Sequence, residues 1–309
     1  MRQIAFLGPR GTFSEEAMLS LPELAAAEHL PKGSIPEVIA AVESGEADCC
    51  VVPLENAIEG SIDLTLDALV FGADVLIRHE LIRPISLNLV TRPGTRLRDV
   101  TEVVSIPVVA GQSRGWLAKH LPRATIVAAN STAAAVERVA RSRRSGLAAI
   151  GNRLAAERLR LEVIAAEIED HPENATRFGV VGRGVPAPTG HDKTMIVCFQ
   201  REDRPGSLLA ILQEFAARAI NLTALHSRPA KTGLGRYCFV IEFEGHLADE
   251  LVADALRDLA AKHGRIKFLG SYPVADSEAG HERRRAASRA WRDAERWVDD
   301  LRAQIDRAG

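Results

Sequence analysis

The chain has 309 residues, with 39 lysines and arginines against 41 aspartates and glutamates, 46% hydrophobic and 26% charged residues. At roughly 150 residues per domain, that length suggests about two domains, with enough apolar residues to bury a core, which excludes disorder as the main state. The formal charge of −2 excludes an electrostatic footprint for nucleic acid and a polybasic membrane patch.

In chain order, residues 3–7 read as a first strand. The apolar stretch there is too short for a signal-peptide core. Residues 13–27 read as a helix ending before Pro31, and 36–44 as a short helix closed by Gly45. Residues 47–53 read as a buried strand bounded by Pro53. Ile62, Leu66 and Leu69 space a helix over 61–69, and strands follow at 75–81 and 85–90. A second α/β stretch has strands at 103–105, 125–128 and 147–150. Its helices lie at 111–120, 131–141 and 152–158, the middle one capped by Ser131 or Thr132. Residues 164–168 lead out of it, and 178–182 form one more strand. Repeated strand–helix alternation predicts mainly parallel sheets in two α/β lobes, with a ligand cleft between them.

Residues 183–191 hold two prolines and two glycines and read as a linker. Strand signals at 194–199, 222–227, 236–244 and 265–269, with helices at 206–217 and 248–261, give the ferredoxin-like β-α-β-β-α-β order. In residues 281–309, Trp291, Ala294, Val298, Leu301 and Ile305 line one face of an amphipathic helix. The cysteines Cys49, Cys50, Cys198 and Cys238 lie in apolar runs without a C-x-x-C pair. Buried thiols in a reducing, cytoplasmic setting are expected. No apolar run reaches the ~18–20 residues of a membrane span. No H-E-x-x-H occurs, and neither a metal nor a cofactor is expected.

Three segments concentrate polar chemistry. Gly8-Pro9-Arg10-Gly11-Thr12-Phe13-Ser14 joins a strand to a helix, where free N–H groups suit a carboxylate, although a plain capped turn explains it equally. Val52-Pro53-Leu54-Glu55-Asn56-Ala57-Ile58-Glu59-Gly60-Ser61 follows a buried strand, at the end where open α/β sheets bind ligands. Asp170-His171-Pro172-Glu173-Asn174-Ala175-Thr176-Arg177-Phe178 precedes a strand. It offers Thr176 as a proton donor or orienting hydroxyl and Arg177 as a partner for a carboxylate.

Together these segments resemble the prephenate dehydratases, in the order G-P-x-G-T-F-S, P-x-E-N-x-x-x-G-S and N-x-T-R-F. Ser105-Ile106-Pro107, Gln112, Trp116-Leu117, Ser131-Thr132-Ala133-Ala134-Ala135 and Ala149-Ile150-Gly151-Asn152 extend the likeness. Asp203-Arg204-Pro205-Gly206-Ser207-Leu208-Leu209, Ile220-Asn221-Leu222-Thr223, Ser227-Arg228-Pro229 and Leu269-Gly270-Ser271-Tyr272-Pro273 resemble an amino-acid-sensing ACT domain. The resemblance implies a two-lobed, periplasmic-binding-protein-like α/β catalytic domain, an α+β ferredoxin-like ACT domain and a C-terminal helix. The expected boundaries are 1–186 for the catalytic domain, 192–273 for the ACT domain and 281–309 for the helix. Within the first, lobe one takes 1–80 and 168–186, and lobe two takes 81–167.

The implied reaction converts prephenate to phenylpyruvate, carbon dioxide and water in phenylalanine biosynthesis. Thr176 takes the catalytic place, with Glu55 as the first candidate to feed its proton. Thr12, Asn56, Ser105, Gln112 and Arg177 take substrate-contact places. L-phenylalanine is the implied effector, met by Gly206, Ser207, Leu208, Asn221, Ser227 and Arg228 where two copies join, so a homodimer or homotetramer is expected. With no mutase-like helices ahead of the first motif, a monofunctional enzyme is expected. Ala57, Ile106 and His226 depart from common family residues, and His226 bears on the strength of regulation. The alternatives are an arogenate dehydratase, which accepts an amine in place of the keto group, and a non-catalytic sensing module.

Overall fold

The computed structural model describes residues 3–200, 204–233, 236–275, 296, 297 and 300. The chain divides into two compact units, Met1–Gly184 and Val185–Gly309.

The first unit opens with β1 (Gln3–Leu7), α1 (Phe13–Leu19), α2 (Pro22–Ala25), β2 (Glu28–Lys32), α3 (Ile35–Glu43) and β3 (Cys49–Asn56). There follow β4 (Gly60–Ser61), α4 (Asp63–Asp67) and β5 (Leu76–Pro84). Helix starts follow their caps. Thr12 accepts the Glu15 N–H, and Ser34 accepts the Glu37 N–H ahead of a first-turn proline. The helix expected over 13–27 breaks at Pro22, and the chain re-enters as β2. Pro31 is tolerated there because β2 is the sheet's edge strand.

Lobe two contains β6 (Asn88–Thr91), β7 (Glu102–Ser105), α5 (Pro107–Gln112), α6 (Arg114–His120), β8 (Thr125–Ala128) and α7 (Thr132–Arg141). It closes with β9 (Leu147–Gly151), α8 (Arg153–Arg158) and β10 (Glu162–Ala165), and β11 (Ala175–Gly182) returns to lobe one. The single helix expected at 111–120 is two helices meeting at Ser113. Ser131, rather than Thr132, caps α7, and Asn152 caps α8.

The sheets run β2-β1-β3-β11-β5, with β4 on β3, and β10-β6-β9-β7-β8. Among the described residues, only β1–β2, β1–β3, β7–β8 and β7–β9 are parallel. The expectation of mainly parallel sheets is corrected to mixed ones, because the chain crosses between lobes twice. The outgoing β5 and the returning β11 run opposite ways, and so do β6 and β10. Strand β5 stays paired to β11 as far as Pro84, so lobe one extends past the expected border at residue 80. Phe6, Met18, Leu81 and Phe178 centre lobe one's core. Leu89, Val103 and Ile150 centre one layer of lobe two.

The second unit contains β12 (Asp192–Gln200), α9 (Ser207–Ala216), β13 (Leu222–Pro229), β14 (Tyr237–Glu244), α10 (Glu250–Lys262) and β15 (Gly264–Pro273). Its antiparallel sheet has the order β13-β14-β12-β15, the ferredoxin-like arrangement. Ile196, Ile211, Phe215, Phe243, Val252 and Leu259 pack beneath its helices. The helix expected over 281–309 lies outside the described residues, except that Arg296, Trp297 and Asp300 are helical. Among the described residues, no helix is long and apolar enough to cross a membrane.

Candidate active site

The P-L-E-N and A-T-R-F segments are not loops beside strands. They are the paired ends of β3 and β11, with Asn56 opposite Thr176 and Glu55 opposite Arg177. Alternate residues of a strand face opposite ways, so one face of this strand pair carries Asn56 and Thr176, and the other carries Glu55 and Arg177.

On the first face a chain of hydrogen bonds begins at the backbone. Asn56 Oδ1 accepts the N–H groups of Ile58 at 3.0 Å and Glu59 at 3.1 Å. Backbone N–H groups only donate, so the Asn56 amide is held with Nδ2 turned the other way. Nδ2 then donates to Asn174 Oδ1 at 2.9 Å and to Thr176 Oγ1 at 3.0 Å. Asn174 Nδ2 donates to Gln112 Oε1 at 3.2 Å, and Gln112 Nε2 to Glu59 Oε1 at 3.2 Å. The chain closes on the Asn56–Glu59 turn, and each donor fixes the orientation of the next. Asn56, Asn174 and Thr176 are buried.

This network joins the lobes. Gln112 ends α5 in lobe two, and its carbonyl accepts the Asp170 N–H at 2.7 Å. The Asp170 carboxylate in turn receives the N–H groups of Gly115 and Trp116 in the first turn of α6. Asn174, on the same returning segment, binds the Ile85 N–H of the outgoing one. Asn174 and Glu59 are not among the residues singled out from the sequence. Their signal was their place inside two of the quoted motifs.

The other predicted residues are placed differently. Ser105 ends β7 fully buried, its hydroxyl donating to the Ile106 carbonyl at 3.1 Å rather than to the network. Thr12 is a capping residue whose hydroxyl donates to the Leu7 carbonyl at 2.8 Å. The Gly11 N–H, expected to be open to a ligand carboxylate, is taken by the buried Glu15 carboxylate at 2.6 Å. Arg158 of lobe two also meets Glu15, at 2.9 Å. On the reverse face, Arg177 pairs with Glu55 at 3.0 Å and with the buried Glu80 at 3.3 Å. The structure therefore does not bring Glu55 or Arg177 together with Thr176.

In the second unit Gly206, Ser207 and Leu208 line a cavity of about 370 Å³ with Gln200, Arg204 and Phe239. Gly206 adopts the left-handed conformation ahead of α9 (φ 86°), which glycine tolerates without strain. Asn221 instead donates to Glu244 at 3.1 Å, and Ser227 and Arg228 lie on the edge strand β13.

A two-lobed α/β unit with a polar hydrogen-bond network between its lobes, followed by a ferredoxin-like unit with a cavity ahead of its first helix, defines a class of small-molecule enzymes and binding proteins. Residues 4–185 match the prephenate dehydratase family, and residues 194–261 match the ACT domain. The chain belongs to the prephenate dehydratase family. It is 43% identical over 291 residues to prephenate dehydratase of Mycolicibacterium vanbaalenii, covering 89% of this chain and 92% of that one. It is similar to the crystal structure of prephenate dehydratase from Arthrobacter aurescens in complex with L-Phe. That likeness has a TM-score of 0.86 and 37% identity, and covers 97% and 99% of the two chains. The quorum-quenching acylase GqqA is similar as well, with a TM-score of 0.80, 29% identity and coverage of 89% and 98%. The fold alone therefore does not select the chemistry, and the site must.

Proposed function

We propose that the chain converts prephenate to phenylpyruvate, carbon dioxide and water, with Thr176 assisting the departure of the ring hydroxyl. The observation that carries this reading is the hydrogen bond from Asn56 Nδ2 to Thr176 Oγ1. An amide nitrogen can only donate, so Thr176 accepts there and its own O–H proton remains to be given outward. As the ring carboxylate leaves as carbon dioxide, its bonding pair enters the ring and the opposite hydroxyl departs, taking a proton to become water. Asn56, Asn174 and Gln112 hold the donor in place, and because they come from both lobes, lobe closure sets the geometry. Ser105 supports the lobe-two wall and Thr12 the lobe-one wall. Glu55 and Arg177 work from the reverse face by fixing the β3–β11 register. Glu59 is the carboxylate to which Thr176 is connected, through Asn56, Asn174 and Gln112.

L-phenylalanine regulates the activity through the second unit. Gly206, Ser207 and Leu208, on the wall of the cavity before α9, meet its carboxylate, and Asn221, Ser227 and Arg228 complete the site at the junction of two copies. A homodimer or homotetramer, a cytoplasmic location, a catalytic domain over 1–186 and an ACT domain over 192–273 belong to the same reading. The A. aurescens relative bound to L-Phe supports it.

Purified protein given prephenate should form phenylpyruvate, followed by absorbance, and excess L-phenylalanine should change both turnover and melting temperature. No phenylpyruvate refutes the dehydratase reading. An effector that moves neither quantity refutes the regulatory one.

A further inference from the structure

The strand on the other side of Thr176 places a positive charge beside it. Thr176 pairs with Asn56 of β3 across one ladder and with Arg83 of β5 across the other. Partners in a ladder project to the same face, with α-carbons about 5 Å apart. Asn56, Thr176 and Arg83 therefore form one row across lobe one's sheet. The next residues inward on that face, Phe178 and Leu81, pack with Phe13, Ala17 and Met18 of α1.

Arg83 is half-buried, and its Nε is buried with no hydrogen-bond partner. Among the described residues its side chain makes no ion pair or hydrogen bond. Arg177 and Arg158 are instead engaged, Arg177 by Glu55 and Glu80, and Arg158 by Glu15. A guanidinium offers five donors in a planar fork shaped for a carboxylate, and the buried Nε–H of Arg83 is left unmet, which is costly. Glu16, on α1, is the carboxylate whose ionisation Arg83 influences, but Glu16 is bonded to Asn152 of lobe two at 3.0 Å. Burial raises its pKa, partly offset by the Asn152 bond and by Arg83 itself. Arg83 thus stands on the face that carries Asn56 and Thr176, near Glu16 but in no ion pair with it.

We propose that Arg83 binds a carboxylate of the substrate and selects a doubly negative keto acid over its amine-bearing counterpart. The proposal rests on the assignment of this cleft to prephenate. Prephenate carries two carboxylates and no cation, whereas arogenate carries an ammonium and has one net negative charge. A fixed positive charge beside the cleft favours the dianion whichever carboxylate it touches. It also supplies the cation that Arg177 cannot, since Arg177 is held on the reverse face.

The test measures kcat and KM of the full chain and its Arg83→Leu and Arg83→Gln variants on prephenate and on arogenate. Arg83→Leu should raise KM for prephenate about tenfold with kcat within about threefold, the signature of lost uniform binding. The ratio of kcat/KM for prephenate over arogenate should fall at least about fivefold. Arg83→Gln, which keeps a polar group of similar length, should show the same fall if the leucine variant does not fold, and Arg83→Lys should recover part of it. A ratio and KM within about twofold of the parent chain in both neutral variants, or an equal loss on both substrates, overturns the proposal while leaving the dehydratase reading intact. A parent chain that turns over neither substrate overturns both.

Discussion

The two faces of the β3–β11 strand pair differ in kind. One carries Asn56 and Thr176, neutral groups in a directed chain of hydrogen bonds, whereas the other carries Arg177 between Glu55 and Glu80. The residues alternate along the same short segments, so the pleat alone separates them. On the first face directed hydrogen bonds, rather than an ion pair, orient the Thr176 hydroxyl beside Arg83. A buried carboxylate such as Glu80 needs its cation at all times. On the proposed mechanism, catalytic positioning and fold stability are thus placed back to back, one residue apart.

The largest effect that separates the faces is on turnover. Thr176→Ala should lower kcat on prephenate by about 10²–10⁴-fold with a modest change in KM, and Thr176→Ser should recover part of it. The melting temperature should change little, because Asn56 Nδ2, on losing Thr176 Oγ1, keeps Asn174 Oδ1 and the Ala175 carbonyl as acceptors. Alanine at near-parent turnover would remove Thr176 from the mechanism.

Arg177→Met should do the opposite. It leaves the buried Glu80 without a cation that stood 3.3 Å away. Breaking a buried pair from one side costs about 3–5 kcal/mol, roughly 10 °C in a unit of this size. The folded fraction should keep kcat within about fivefold of the parent value, since Arg177 is held away from Thr176. Thermal melts and steady-state kinetics on one preparation decide it. A collapse of kcat with unchanged melting would place Arg177 on the catalytic face after all.

Asn174→Ala is a smaller perturbation and tests the network rather than its end point. The substitution breaks the link between Asn56 and Gln112, so Thr176 keeps its donor but loses its register with lobe two. A loss of roughly 10–100-fold in kcat/KM is expected, and Asn174→Asp should not restore it because an ionised carboxylate cannot donate to Gln112. Parent-like kinetics for Asn174→Ala would mean that the lobes are aligned by other contacts.

Much of this arrangement was legible in the sequence, and the reason is local. Asn56 and Thr176 stood out as polar residues gathered at strand ends, whereas Ser105 and Gln112 were assigned through the family resemblance alone. The ferredoxin-like order of the second unit could be read from strand and helix periodicity. Pairing across strands could not. That Arg83 stands beside Thr176, or that Glu55 turns away from it, depends on register between segments some ninety to one hundred and twenty residues apart. The sheets were expected to be mainly parallel for the same reason, since alternation of strands and helices does not reveal that β11 returns against β5. Glu15 was invisible too, because nothing in G-P-R-G-T-F-S-E says that a carboxylate four residues on will occupy the Gly11 N–H.

The weakest expected effect lies in the second unit and sharpens the contrast between neutral and ionic networks. Arg218 at the end of α9 meets Glu214, Asp254 and Asp258, and Lys262 and His263 also meet Glu214. Bonds to Lys262 and Arg218 hold the Asp258 carboxyl at about 2, below its ordinary 3.8. A carboxyl with a depressed folded-state pKa adds stability that is fully present above 3.8 and is lost as pH falls towards 2. Asp258→Asn should therefore lower the melting temperature at neutral pH by about 2 °C or less, because the pair is exposed and screened. That gap should close as pH falls from 4 to 2, and it should shrink in 1 M salt, where the screening length is about 3 Å. The stability change caused by Asn174→Ala should do neither, since amides do not titrate and a buried neutral bond is indifferent to salt. A constant gap for Asp258→Asn across that pH range would show that its contacts act through packing rather than charge, and the distinction between the two kinds of network would then rest on the β3–β11 pair alone.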